Sequence, residues 1–246
     1  MAAALPPVCP VHRPLLAAPL RETDTHDRTS PLDRLLLRLD AEVDQATFAL
    51  GDEDLRPYTW AGWTVSPRST YRLALGENDV LPGYSSSTRR TVRRETEAFD
   101  FVVGPEFAAD AVRLMMEGYK RHGTDLGLDP QRLVRLAGAF DEAGLARTFA
   151  ARRGGVTEAA FVAPSDGRTA TYWIAGSEPG PAMTVLLTHA LRQLAAEGVA
   201  AFDFGGANTP PIAEFKRQFG PSLAPAPIAR REMHPALRLA KRLTGR

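Results

Sequence analysis

The chain reads as an α/β protein, with a mixed, mostly antiparallel sheet, one parallel strand pair and flanking helices. Three observations predict this. Short apolar runs at 147–151, 156–162 and 169–175 are separated by Gly154–Gly155 and by Asp166–Gly167, both strong hairpin turns. An amphipathic helix over 183–197 follows them, and Gly198 ends it before an apolar strand at 199–204. A strand, a helix and a strand at that spacing imply a right-handed crossover, which lays 199–204 parallel to 169–175.

The bulk numbers set bounds on what such a chain does. Its 246 residues suffice for one large domain or two smaller ones, and 44% hydrophobic content is ordinary for a chain that buries a core. A formal net charge of +1 supplies no global field toward nucleic acid or anionic membrane, so any basic site is local. Cys9 is the only cysteine, which excludes an intramolecular disulfide framework; with five scattered histidines, no metal is expected. No run approaches the ~20 apolar residues of a membrane span. The opening MAAALPPVCPVHRPLLAAPL lacks a basic start and is cut by prolines, so it reads as a lead-in and not as a secretory signal, and a cytoplasmic location is expected.

In chain order, residues 1–29 are expected to form a flexible N-terminal segment. Ser30 is a cap, Pro31 suits a first helical position, and Leu32, Leu35, Leu36 and Leu39 make an apolar stripe. A strand near 47–50, an irregular RPYTWAGW and a strand near 70–75 follow. Residues 30–70 are read as a partial N-terminal subdomain, because helix, strand and aromatic loop in 32–63 faintly echo 184–219. SSSTRRTVRRETEAF (85–99) is a capped helix, and FDFVVG (99–104) a strand. Helices near 106–122 and 130–143 carry Val112, Met115, Tyr119 and Leu133, Val134, Phe140. The main domain is expected over 71–230, with a basic tail at 231–246.

The densest chemistry lies in FDFGGANTPPIAEFKRQFG (202–220). Thr209 caps a helix whose first turn holds Pro210 and Pro211, and Ile212, Phe215 and Phe219 share one face at about 100° per residue. Lys216 sits at the edge of that face. There it either aims its ammonium into a cleft or snorkels from a core helix to water. Asp203 faces opposite to Phe202 and Phe204. It serves as a base, orients Lys216, or accepts backbone hydrogen bonds at a strand end. Arg89 and Arg93, like Arg90 and Arg94, are four apart, a like-charge spacing that costs a few tenths of a kcal/mol. A nearby anion relieves it, and so does a solvated face with Glu95 and Glu97.

TYRLAL…STRRTVRRE, then ATYWIAGS, then FDFGGAN…PIAEFKRQFG together resemble the FemAB-like branch of the GNAT acyltransferase superfamily, from about Tyr71 to Ile228. Peptidoglycan aminoacyl transferases and many acetyltransferase-like proteins belong to that branch. The resemblance implies a GNAT fold preceded by a truncated second GNAT-like copy. It implies an N-acyltransferase that moves an acetyl or aminoacyl group from a carrier to a primary amine by direct attack. Phe215 and Lys216 would lie at the reacting centre, with Asp203 beside them and Lys216 stabilising the oxyanion, a role worth roughly 2.7–4 kcal/mol. Gly180, Ala182, Met183 and Thr184 would receive the donor, and Arg89, Arg90 and Arg93 its anionic groups. The donor implied is acetyl-CoA or another acyl-CoA, with aminoacyl-tRNA as the other carrier; the acceptor is a small-molecule or peptide amine. The chain departs from the pattern at GSEPGPAM, where Pro179 and Pro181 have no N–H to offer and Glu178 adds a negative charge. That departure keeps open another carrier, or a decayed fold serving as a scaffold or anion-binding partner.

Overall fold

The computed structural model describes residues 45–49, 54–76, 79–206 and 209–232. The lead-in 1–29, the helix expected after Ser30 and the tail from 233 onward lie outside the described residues. Two compact units divide the chain, one of residues 70–224 and one of 1–69 with 225–246.

The smaller unit holds a three-stranded antiparallel sheet. Strand β1 (Gln45–Ala49) and strand β2 (Thr64–Ser66) flank the last strand, β11 (Ile228–Glu232). Between the first two, RPYTWAGW is not irregular: Pro57 starts a short helix, α1 (Arg56–Trp60), and Tyr58 meets Trp63 edge to face at 6.3 Å. Residues 225–230, expected in the main domain, and 231–232, expected in the tail, group with this unit, because β11 takes both of its strand partners here.

The larger unit carries two four-stranded sheets. The first is antiparallel throughout and runs in the order β4 (Asp100–Val103), β5 (Ala146–Arg153), β6 (Val156–Pro164), β8 (Ala175–Ser177). The second runs β10 (Ser222–Pro225), β3 (Ser69–Ala74), β9 (Ala201–Asp203), β7 (Thr169–Thr171), and its β7–β9 pair is parallel, as the crossover requires. Gly154 and Gly155 join β5 to β6 at φ +55° and +83°, the two positive values that a tight hairpin turn needs.

Five helices cover these sheets: α2 (Ser86–Glu95), α3 (Ala108–Arg121), α4 (Pro130–Glu142), α5 (Ala182–Ala196) and α6 (Pro210–Arg217). Their starts follow local chemistry. The Ser85 hydroxyl accepts the Thr88 N–H at 3.3 Å, and the Asp129 carboxylate accepts that of Gln131 at 2.9 Å. Strand alternation then sorts the core into two layers. Phe149 and Phe161 face Leu186, Leu187, Phe202 and Phe219, whereas Ala150 and Val162 face Val112, Leu114 and Ala137 of α3 and α4.

The run 169–175, expected as one strand, is divided. Its first half pairs with β9, but Ala175–Ser177 pairs with β6, and no strand bridges Tyr172–Ile174. Gly176 shows what fixes the second half. A Cβ there would lie 2.2 Å from the backbone carbon of Leu114 and nitrogen of Met115, so only glycine lets α3 descend onto β8.

Gly176→Ala is therefore expected to lift α3 and destabilise the fold by about 1–3 kcal/mol, read as a lower urea midpoint. Gly138→Ala, in α4 with nothing within 4 Å of its Cβ, should instead raise the midpoint through helix propensity. An unchanged midpoint for Gly176→Ala would contradict the close approach.

Candidate active site

The parallel pair β7–β9 lasts three residues. Its final bond runs from the Tyr172 N–H to the Asp203 carbonyl at 2.8 Å; Phe204 then donates to Tyr71 of β3 at 2.9 Å while β8 follows β6. The two strands part there. Gly205 still packs on the Tyr172 carbonyl, where a Cβ would approach the oxygen to 2.5 Å, and the chain turns at Gly205 and Gly206 with φ +71° and +110°. This turn leads toward α6.

Lys216 of α6 reaches back into the turn. Its side chain is only 5% exposed, and its Nζ donates to the backbone carbonyls of Phe204 and of Gly206, the latter at 2.9 Å, while lying 5.6 Å from the centre of the Tyr172 ring. The snorkelling alternative is thus not adopted. Burial pulls its pKa from the ordinary 10.5 down to about 8, and the charge of Asp203 opposes that pull. An ammonium has three N–H bonds, and described residues claim two of them, so the charged form keeps one that they leave open. Phe215 is half-buried and packs edge to face on Phe219 at 5.3 Å, closing the apolar side.

Asp203 is held by three donors. Its Oδ1 accepts from the Thr70 hydroxyl at 2.5 Å and the Gly205 N–H at 2.8 Å, and its Oδ2 from Arg72 Nε at 3.2 Å. Of the roles open to it in the sequence, accepting bonds at a strand end is the one this geometry displays.

The other expected residues gather elsewhere. Gly180 (φ +138°) is exposed in the turn after β8, with Ala182 and Met183 buried in the first turn of α5. The N–H groups of Thr184 and Val185 already donate to the Pro181 carbonyl, at 2.9 and 3.2 Å. The arginines of α2 line a hollow of about 440 Å³ with Ser86, and no residue of the turn near Lys216 lines it. Arg89 is engaged with the carbonyls of Pro82 and Tyr84, and Arg94 with Glu95 at 2.6 Å. Arg90 and Arg93 are exposed, with no partner among the described residues.

Comparison with known proteins places this architecture. Residues 84–217, more than half of the chain, match the acetyltransferase (GNAT) domain family. The chain belongs to that family. Among solved structures this GNAT chain is similar to FemX, at 13% identity and a TM-score of 0.62 over 80% of this chain and 75% of that one. It is also similar to L-PGS from Bacillus licheniformis, at 16% identity and a TM-score of 0.53 over 87% and 77% of the two chains. A tandem GNAT protein from the clavulanic acid biosynthesis pathway aligns at 14% identity and a TM-score of 0.51, over 83% and 68%. At these identities the likeness is one of fold. No curated protein matches the sequence.

Sequence reasoning missed Thr70, Arg72 and Tyr172. Alternation along β3 puts Thr70 and Arg72 on one face, but only the register Arg72↔Asp203 tells which carboxylate they meet. Among the described residues no group of three acidic, histidine or cysteine side chains is placed to hold a metal, and no helix is long and apolar enough to cross a membrane.

The buried ammonium gives a signed pH dependence. Because the folded-state pKa of Lys216 lies below the unfolded one, the unfolded chain holds more protons between about pH 8 and 10.5, and stability rises with pH across that window. Relative to Lys216→Met, the wild type should gain up to about 3 kcal/mol from about pH 7 to 10, measured by urea unfolding of both proteins. A pH-independent difference between the two would refute the buried charge.

Proposed function

We propose that the chain is an N-acyltransferase that moves an acyl group from coenzyme A to a primary amine, with the reaction at the parting of β7 and β9. The observation that carries this reading is the buried Lys216 ammonium beside that parting, with two N–H bonds on carbonyls and a third that no described residue claims. The amine attacks the thioester carbonyl and forms the C–N bond. The unclaimed N–H of Lys216 donates to the resulting oxyanion, in a site from which water is largely excluded. Collapse then breaks the C–S bond, the thiolate leaves, and the proton released by the amine balances it.

Asp203 acts here by shaping the turn. Gly180 and the first-turn amides of Ala182 and Met183 receive the carrier's phosphates, with the helix dipole of α5 adding a favourable field. Arg90 and Arg93 supply the longer-range attraction for an anionic substrate. In this reading Arg89 keeps the turn at residues 82–84 in place.

A second reading, a GNAT fold retained as a scaffold, is favoured by one specific observation. Pro179 and Pro181 withdraw two amides from the carrier turn, and Glu178 opposes a phosphate there. Thermal shift separates the two readings. A melting temperature that climbs with acetyl-CoA or CoA concentration supports the enzyme, whereas no shift with these or with charged tRNA supports the scaffold.

Lys216→Met, which keeps the stem but removes the donor, should lower turnover about 100-fold with its far-ultraviolet spectrum unchanged. Wild-type kcat should fall as pH rises above about 8, because deprotonation removes the third N–H. Undiminished turnover in Lys216→Met would dismiss the oxyanion role. Both variants leave the carbonyls of Phe204 and Gly206 without their donor; Lys216→Ala is the weaker test, since it also deletes the buried stem and leaves a cavity, at about 2–5 kcal/mol.

A further inference from the structure

We propose that Thr70 is a positioning residue for Lys216, acting through the Gly205–Gly206 turn. The assignment rests on the acyltransferase reading for its catalytic consequence, and on geometry alone for the positioning itself. Thr70 is 2% exposed, the second residue of β3, and its one hydroxyl serves two bonds. It donates to Asp203 Oδ1 at 2.5 Å and accepts the Gly206 N–H at 3.0 Å.

Gly206 is therefore gripped at both ends of one residue. Its N–H is held by Thr70, and its carbonyl receives Lys216 at 2.9 Å. Gly205 is gripped in parallel, its N–H on the same Asp203 oxygen that Thr70 engages. Two glycines with φ +71° and +110° have wide conformational freedom, and nothing in their own chemistry selects this turn over others. The selection comes from the Thr70 hydroxyl and the Asp203 carboxylate. Since the turn's carbonyls fix two of the three N–H directions of Lys216, the hydroxyl of Thr70 also sets the direction of the third.

The test uses the full chain with Thr70→Val, which keeps shape and removes the hydroxyl, and Thr70→Ser, which restores it. The probes are the Lys216 Cε carbon resonance, identified by its loss in Lys216→Met, and initial rates with acetyl-CoA and a primary amine. Thr70→Val should move the resonance and lower kcat by about 10-fold with the KM for acetyl-CoA unchanged, and Thr70→Ser should restore both. A folded Thr70→Val with an unmoved resonance overturns the proposal whether or not the chain is active. An active Thr70→Val in which kcat is untouched overturns its catalytic part. If Thr70→Val does not fold, wild-type hydrogen exchange decides: the Gly205 and Gly206 amides must be protected, and free exchange at both rejects the clamp.

Discussion

A lysine ammonium buried among phenylalanines needs dipoles to replace the water it has lost, since an uncompensated charge in such surroundings is prohibitive. Everything distinctive about this site follows from how that need is met. The acceptors are the backbone carbonyls of Phe204 and Gly206. A strand flanked on both sides uses its carbonyls on its neighbours, so such acceptors exist only where a neighbour has departed. The parting of β7 and β9 thus leaves carbonyls for the ammonium, and in the proposed reaction the same edge admits the substrate.

The parting in turn is the outcome of a competition. Residues 169–177 have β9 on one side and the nine-residue strand β6 on the other. Up to the Tyr172 N–H they bond to β9; from the Trp173 N–H they bond to β6, and the missing side chain of Gly176 allows α3 to clamp that choice. Between the two pairings the Tyr172 ring lies 5.2 Å from Phe161 and 6.5 Å from Phe202, and Phe202, Phe204 and Phe219 continue the contact series at 5.1 and 5.7 Å. These rings fill the space beneath the divergence, so that the opened edge rests on a packed floor and not on a void.

What the sequence made legible was local. Gly154–Gly155 announced a hairpin because few other residues take two positive φ values, and Ser85 and Asp129 announced helix starts because a short oxygen-bearing side chain reaches the first free amides. The right-handed crossover gave the parallel pair. The identity of Lys216 as a residue of interest was also legible, yet its burial was not: a position at the edge of an apolar stripe permits both a buried and a solvated head, and only the turn opposite decides. Thr70 was invisible for a different reason. It lies 133 residues from Asp203 in sequence, and strand alternation says which residues share a face but not which face they meet. The arginines of α2 show the same limit at short range. Spacing grouped Arg89, Arg90, Arg93 and Arg94 as equals, whereas carbonyls at residues 82 and 84 and the carboxylate of Glu95 engage two of them and leave Arg90 and Arg93 to solvent.

The two duties assigned to Lys216, holding the turn and donating to an oxyanion, do not compete for the same hydrogen atoms. A neutral amine has two N–H bonds, sufficient for the carbonyls of Phe204 and Gly206; the third belongs only to the charged form. Titration with a pKa near 8 therefore removes the donor without removing the clamp. The shape of the turn persists on either side of the transition, held by the hydrogen bonds among Thr70, Asp203 and Arg72. In this arrangement conformation and donor strength are set by separate parts of the site: the turn by hydrogen bonds from strand β3, the donor by the degree of burial of a single nitrogen.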